Sequence, residues 1–507
     1  MYKILVVLTF IIIPHQVIAQ ILPKEGSMLP YRLIGFSFKP MLNTNKYIVE
    51  IAAGNYNTED SFKKNIIVSP IGNKNKIITE VPYFGKQYTW RIAYIDRKSN
   101  KTKSELHHFS TTFIVDLDTN NTRVRITKNV SKYKDALFFL DGNRALYNMK
   151  GHPVWYLPAI DGLNNESLRD VRDMKLSPQG TITFLLNNIP YEINYNGQIL
   201  WKAPNDGKVS GDSIEHYHHE FTRLSNGNYM ALGSEFVKWK LPLTADSNLL
   251  RDGKTFYDSI SKAYYQKIEF GTIIEYDGNG NVVWSWRSSK YFRESDVQSK
   301  INGNLRSRDV HENSFFFDEK AKIIYLSFRN ISRILKVHYP DGDIINTYGN
   351  KYKAGIAEMK NNLFCNQHSV KHSQKGYLYL FNNNFCNKGA VPKIIMMQEP
   401  PAGNSNLKKI WEYECPMEGG VFYTLVPFAS GGNVIELPDH AIFASVANDV
   451  YSNVFIVSSN KKILWRAIPE KFNQVENKWE PLYQYRASII NSRNELEALV
   501  WNGIIKK

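Results

Sequence analysis

Leu224-Ser225-Asn226-Gly227-Asn228, followed further on by Asn279-Gly280-Asn281-Val282-Val283-Trp284, is one copy of a two-part pattern that repeats along the chain. The first part is a strand ending in a small turn, and it returns at Leu176-Ser177-Pro178-Gln179-Gly180, His372-Ser373-Gln374-Lys375-Gly376 and Ala429-Ser430-Gly431-Gly432-Asn433. The second is a turn that leads into an apolar pair and often a Trp. It returns at Asn196-Gly197-Gln198-Ile199-Leu200-Trp201 and Lys461-Lys462-Ile463-Leu464-Trp465, with shorter copies at Pro153-Val154-Trp155 and Lys408-Lys409-Ile410-Trp411. Asp341-Gly342-Asp343-Ile344-Ile345 is a copy without Trp. Six units result, beginning near residues 134, 172, 219, 311, 368 and 424. Two hairpins per unit at regular intervals, with almost no helical periodicity, predict an all-β, six-bladed β-propeller. The third unit is the longest, and its extra residues, near 240 to 265 and 288 to 310, are expected in loops at the substrate face. Tyr485-Arg486-Ala487-Ser488-Ile489-Ile490 follows the sixth Trp element and is expected to add the strand that closes the ring.

Working outward, residues 20–115 hold short alternating segments such as Tyr47-Ile48-Val49-Glu50-Ile51 and Tyr88-Thr89-Trp90-Arg91-Ile92-Ala93-Tyr94 between turn signals. They predict a small N-terminal β-sandwich of fibronectin type III-like order, ahead of a propeller over residues 116–507. Residues 1–19 open Met1-Tyr2-Lys3, run apolar from Ile4 to Ile13 and offer small residues near Val17 and Ala19. This is the pattern of a cleavable signal peptide, too short to span a bilayer, and it predicts a periplasmic or secreted protein with no stable membrane anchor. The formal charge of +15 comes from 63 Lys and Arg scattered among Asn and aromatics. Scattered charge in an exported chain argues against a nucleic-acid partner. Oligomeric state stays open at this level, a homodimer included.

Counting back eight residues from the turn glycine reaches the start of each inner strand, where side chains enter the central channel. From Gly180 this is Arg172, from Gly227 His219, from Gly376 His368 and from Gly432 Thr424. The fourth turn lacks a glycine, but His311-Glu312 matches His219-Glu220 and puts His311 in the same place. Three of six equivalent positions are then His in a chain with 12 His. Each of these histidines alone reads as a structural hydrogen-bonding residue; at one register they converge on one pocket, which suits an anion or a metal. Zinc competes, since three His can hold it, and His216-Tyr217-His218-His219 is locally rich in ligands. Arg329, on the strand after His311, favours the anion, because a guanidinium repels a divalent cation and binds an oxyanion through two hydrogen bonds. No metal and no cofactor is expected.

His311-Glu312-Asn313-Ser314, then Leu326-Ser327-Phe328-Arg329, then Asn366-Gln367-His368-Ser369 resemble the His-x-Asn, Ser-x-Arg and Gln-His-Thr/Ser elements of the bacterial aryl-sulfate sulfotransferases. The stretch from His218 to Asn228 is similar as well, with Glu220 where the family often has Asp. The resemblance implies transfer of a sulfuryl group from a phenolic sulfate ester to a phenol acceptor by a ping-pong route through a sulfohistidine, without a nucleotide sulfate donor. It makes His368 the nucleophile, has His219, His311 and Arg329 hold the sulfuryl oxygens, and adds Asn313 and Thr424 as pocket contacts. Whether His218 or His219 lines the site stays open, since adjacent strand residues face opposite ways.

Cys365, Cys386 and Cys415 leave room for one disulfide and one thiol. Cys365 lies three residues before His368 and Cys386 ends the next strand, so the expected bridge joins those two and braces the loop of the nucleophile. A different class of function, a non-catalytic propeller whose His and Arg ring holds an anionic ligand or glycan, shares every one of these features. A sulfate hydrolase is weakened by the absence of a Cys/Ser-x-Pro-x-Arg motif.

Overall fold

The computed structural model describes residues 21–113, 120–160, 170–241, 255–292, 296, 298–301, 304–307, 310–349, 363–373, 375–384, 391–401, 406–417, 431–447 and 452–504. The chain divides into two compact units, residues 1–113 and 114–507. In the first, a sheet runs in the order Ser27–Leu29, His107–Thr111, Gln87–Asp96, Thr44–Ala53, Ile66–Val68, and a second sheet pairs Leu33–Ser37 with Lys76–Glu80. Aromatic residues join them: the Phe36 ring meets the buried Trp90 edge-on at 4.9 Å.

The second unit is built on a ring of six sheets whose strands run in radial order; among the described residues four have four strands, blade three has five and blade six has six, and Gln298–Ile301 pairs with Asn304–Ser307 in a separate hairpin. Blade two runs Val171–Leu176, Ile182–Leu186, Ile189–Ile193, Ile199–Lys202 from the channel outward. Blade three starts at His216–Arg223, blade four at Glu312–Asp318, blade five at His368–His372 and blade six at Asn433–Glu436. Blade one takes its innermost strand from the far end of the chain: Ala487–Ile490 pairs antiparallel with Leu137–Leu140, which leads out through Ala145–Asn148 to Pro153–Tyr156. Blade six gains an outer strand, Thr122–Lys128, in return. The closing segment was correctly located by sequence; what differs is that the first unit does not begin with its own inner strand at residue 134.

The Trp elements join neighbouring blades. Nε1 of Trp155 donates to the Tyr195 carbonyl (2.9 Å), Trp284 to Pro340 (2.6 Å), Trp411 to Ser459 (2.8 Å) and Trp465 to Met149 (3.0 Å). Each acceptor lies in the outer turn of the next blade, so these four units lean on their successors, as expected for a repeat that cannot bury its own face. Trp201 instead stacks on Tyr229 of blade three at 3.8 Å.

A second set of joints circles the channel. The Phe221 N–H donates to Asp173 (3.0 Å), Phe315 to Glu220 (3.2 Å), Val370 to Ser314 (3.1 Å), Val434 to Ser369 (3.2 Å) and Ala487 to Asn433 (3.1 Å), with Met174 donating to Asp141 (3.0 Å) at the last seam. These bonds define the register of the inner strands more directly than any turn residue.

By that register, Gly432 corresponds to His368 and is no turn glycine. The inner turn of blade six is Leu437-Pro438-Asp439-His440, with His440 at φ 64° in the left-handed position that Gly180, Gly227 and Gly376 fill elsewhere. A non-glycine residue there hid the turn from a search keyed on glycine. Thr424, reached by counting from Gly432, therefore lost its register argument, and it lies outside the described residues. The insertion in blade three also differs from expectation: Tyr229–Lys240 and Ala263–Tyr276 continue as one long antiparallel pair, with Thr255–Asp258 along the second. Because His216 pairs with Ser234, the part of this arm past Ser234 extends beyond the start of the inner strand.

Candidate active site

Immediately before the acceptors of the channel joints stand Arg172, His219, Asn313, His368 and Gly432, with Tyr485 as the corresponding residue of blade one. Four of the inner strands are bulged at this level, between Arg172 and Lys175, Tyr217 and Phe221, Glu312 and Ser314, and His368 and Lys371. A bulge kinks the strand and re-aims its side chains, and here it turns them into the channel. His219 (φ 57°), His311 (φ 50°) and Ser369 (φ 52°) all take the left-handed conformation, which costs L-residues energy and re-aims their side chains.

Asn313 therefore holds the level that sequence matching assigned to His311, because blade four carries two more residues between its histidine and its joint. The left-handed turn at His311 nevertheless brings the ring back: His311 lies 5.1 Å from His219, edge to face, and His219 lies 6.4 Å from His368. The three histidines meet at one place. His219 is the member of its pair that faces the others, while His218 stands behind it, Nδ1 to Nδ1 at 2.8 Å, with its Nε2 3.1 Å from the Gly233 carbonyl. Arg329 begins the turn after Ile323–Phe328; its N–H donates to the His311 carbonyl (2.9 Å), and its charge acts on His368.

His368 is buried. Its Nδ1 lies 2.7 Å from the Asn383 amide nitrogen, which also donates to the Asn366 carbonyl (2.7 Å). An amide nitrogen only donates, so Nδ1 accepts here, and Nε2 is on the opposite side of the ring. Burial, then the charges of Arg329, His311 and Arg486, hold His368 well below the ordinary imidazole pKa. His219 is depressed in the same direction by burial, then by His218, His311, His368 and Arg486. Asn313 donates from Nδ2 to the Gln367 carbonyl (2.7 Å), and Gln367 is tied to Ser327, Phe328 and Arg333. The segment carrying His368 is thereby held by blade four.

Arg172, which the sequence puts at an inner-strand start, lies over the ring of Tyr485 (5.2 Å), and that ring is 6.0 Å from His219. Other groups at the site are not marked as such in the sequence. Arg486 is buried among Asp173, Glu220 and Asn313. Beyond it the channel opens into a cavity of about 340 Å³ lined by Lys175, Lys371 and Phe315 among others. The signal that would have found Tyr485 and Arg486 is their place in the closing strand, which makes them the first-blade counterparts of His219 and Glu220. Glu312, next to His311, is buried with neither carboxyl oxygen hydrogen-bonded among the described residues, and burial raises it well above the carboxylate range. Cys365 is disulfide-bonded and Cys415 is a buried free thiol; Cys386 lies outside the described residues. Among the described residues, no three His, Cys, Asp or Glu side chains are arranged to hold a metal ion, and no helix is long and apolar enough to cross a membrane.

The family model of Arylsulfotransferase (ASST) matches residues 97–424. No curated protein matches the chain. Among solved structures, a Bacteroides fragilis protein assigned as a 6-phosphogluconolactonase is 11% identical at a TM-score of 0.32, over 89% of this chain and 100% of its own. Citrobacter koseri AztD is 8% identical at 0.31, over 88% and 98%. Likenesses this loose carry no argument about the chain.

Proposed function

Because the chain belongs to the arylsulfotransferase family, we propose that it carries a sulfuryl group from a phenolic sulfate ester to a second phenol in two displacements, through a sulfated His368 and without a nucleotide donor. The observation that carries this reading is the open Nε2 edge of a buried, neutral His368, facing His219 and His311 under the charge of Arg329.

In the first displacement the Nε2 lone pair attacks sulfur, the N–S bond forms and the aryl oxide leaves with the S–O electron pair. For Nε2 to attack, the ring proton must sit on Nδ1, which the Asn383 amide allows when it turns so that its Oδ1, buried without a hydrogen-bond partner among the described residues, faces Nδ1 in place of the nitrogen. Arg329 and His311 stabilise charge on the equatorial oxygens. In the second, the phenol gives up its proton as its oxygen attacks sulfur and the N–S bond breaks.

In this reading His219 takes that proton. When His218 donates from Nε2 to the Gly233 carbonyl, its Nδ1 accepts from Nδ1–H of His219, and His219 keeps its lone pair at Nε2. The depressed pKa of His219 makes it a weak base in the empty site. A negative sulfuryl group on His368 opposes that depression, so the base strengthens in the state that needs it. Thr424 is kept as a pocket contact by family resemblance alone, and Asn313 acts by holding the Gln367 carbonyl. We further propose an exported protein, a Cys365–Cys386 bridge and a fibronectin type III-like N-terminal module.

Intact-protein mass spectrometry after mixing with p-nitrophenyl sulfate alone tests the reading. An acid-labile sulfuryl adduct is expected on His368, discharged by phenol, with His368→Ala losing both the adduct and nitrophenol release. Full transfer by His368→Ala would sink the assignment, and activity lost on chelation and restored by zinc would put a metal mechanism in its place.

A further inference from the structure

The closing strand brings one charged side chain to the base of the site. Arg486 donates through Nη1 to Asp173 Oδ1 of blade two (2.8 Å) and through Nη2 to the Asn313 carbonyl of blade four (3.1 Å), and its Nη1 lies 3.4 Å from Glu220 Oε2 of blade three. Blades one to four are thus tied through a single buried guanidinium.

Its charge is not cancelled. Glu220 also accepts from Lys371 Nζ (2.6 Å) and Asp173 from Lys175 Nζ (2.6 Å), so two carboxylates face three cations. Asp141, a further carboxyl beside Asp173, is pushed up to about 8 by burial and then by Asp173, which reduces the negative charge it brings at neutral pH. Excess positive charge in a buried setting acts strongly on its neighbours.

We propose that Arg486 is a positioning residue of the site: tied to three inner strands, it holds the Asn313 segment in place and lays a fixed positive charge against the imidazoles of His219 and His368. Asn313 in turn holds the Gln367 carbonyl, one residue from His368. The other groups facing His368 are Arg329 and His311, and those facing His219 are His218, His311 and His368, with Tyr485 at 6.0 Å and Arg172 over that ring. Of these only Arg329 and Arg172 share the permanent charge of Arg486, and Arg172 is shared with Asp170 (2.8 Å).

The consequence for transfer rests on His368 being the nucleophile; the electrostatic role itself is measurable without turnover. Histidine ¹³Cε1–¹H resonances, assigned with His219→Gln and His368→Gln, are titrated in the wild type, Arg486→Gln and Arg486→Lys. In Arg486→Gln the midpoints of His219 and His368 are expected to rise by about one pH unit, the size of effect a nearby like charge has on a titrating group. In Arg486→Lys they are expected to stay near the wild type while kcat falls at little-changed KM, because one ammonium cannot reach Asp173 and the Asn313 carbonyl together. Should Arg486→Gln lose its cooperative melt, Glu220→Gln is titrated instead: it keeps the guanidinium and removes a carboxylate that offsets it, so the same midpoints are expected to fall. Unchanged midpoints in the folded variants overturn the proposal even if transfer is observed. A raised midpoint in a protein that transfers no sulfuryl group sustains it and removes the transfer reading instead.

Discussion

Arg329 and the histidines divide the work by charge. A guanidinium is charged at every working pH and offers a fork that matches two sulfuryl oxygens, whereas an imidazole gives up that charge when buried among cations. Arg329→Ala is expected to lower kcat/KM by about two decades or more, the cost of losing one strong donor to developing charge. Arg329→Lys should recover part of it, since it keeps the charge and loses the fork; steady-state kinetics with p-nitrophenyl sulfate and phenol read both. The pH profile follows from the neutral imidazoles. His368 and His219 are both held well below the ordinary imidazole pKa, so their neutral forms persist through mildly acidic pH and protonate only as the pH falls past the lowered values. The acid limb of kcat/KM is therefore expected well below pH 6.5, measured under donor-limited conditions; a limb at the ordinary imidazole value would contradict the buried cationic pocket.

Between neighbouring blades, small residues decide how closely strands approach. Gly271, on the third strand of blade three, faces the Glu312 carboxyl, and a methyl group there would overlap it. Gly271→Ala is expected to destabilise the protein by about 1–3 kcal/mol, as overpacking of a filled interior does, and, because Glu312 adjoins His311, to weaken transfer beyond what the stability loss explains. Denaturant melts paired with kinetics separate the two effects. Elements were legible in the sequence where a local rule made them. The Trp turns could be read because four of the six units use the same clasp, and the histidine strands because glycine marks three of the four turns that follow an equivalent residue. Blade six was misread where His440 takes the left-handed place of that glycine, and blade four was misaligned by two residues because its extra residues lie in a bulge rather than a turn. The long arm of blade three has the local sequence of a loop, since its pairing partners stand on either side of the insertion. The helix Arg493–Ile504 that follows the closing strand was also missed, being a single short element in a chain read for period two.

The whole ring depends on its last strand. Without Ala487–Ile490, Leu137–Leu140 would present an open edge to the channel, and the joint from Asn433, the salt bridge at Asp173 and the tie to Asn313 would go with it. Removal of residues 485–507 is expected to abolish the cooperative thermal transition of the second unit, as followed by calorimetry, whereas a truncation that keeps the strand and ends before the helix should retain a transition at lower temperature. The amino-acid sequence by itself determined the repeat, the number of blades, the segment that closes them and the kinds of side chain at the channel, since each is written in local turn chemistry or in a spacing that recurs. It also carried the family resemblance, through short motifs around His311, Arg329 and His368. Only the tertiary structure decided which residues share a level, that His311 reaches the site from a different register than His219, that Nε2 of His368 is its open edge, and that Arg486 stands at the base. Those facts depend on bonds between strands far apart in the chain, where a bulge or a left-handed residue moves a side chain by several ångströms without altering any periodicity that a sequence displays.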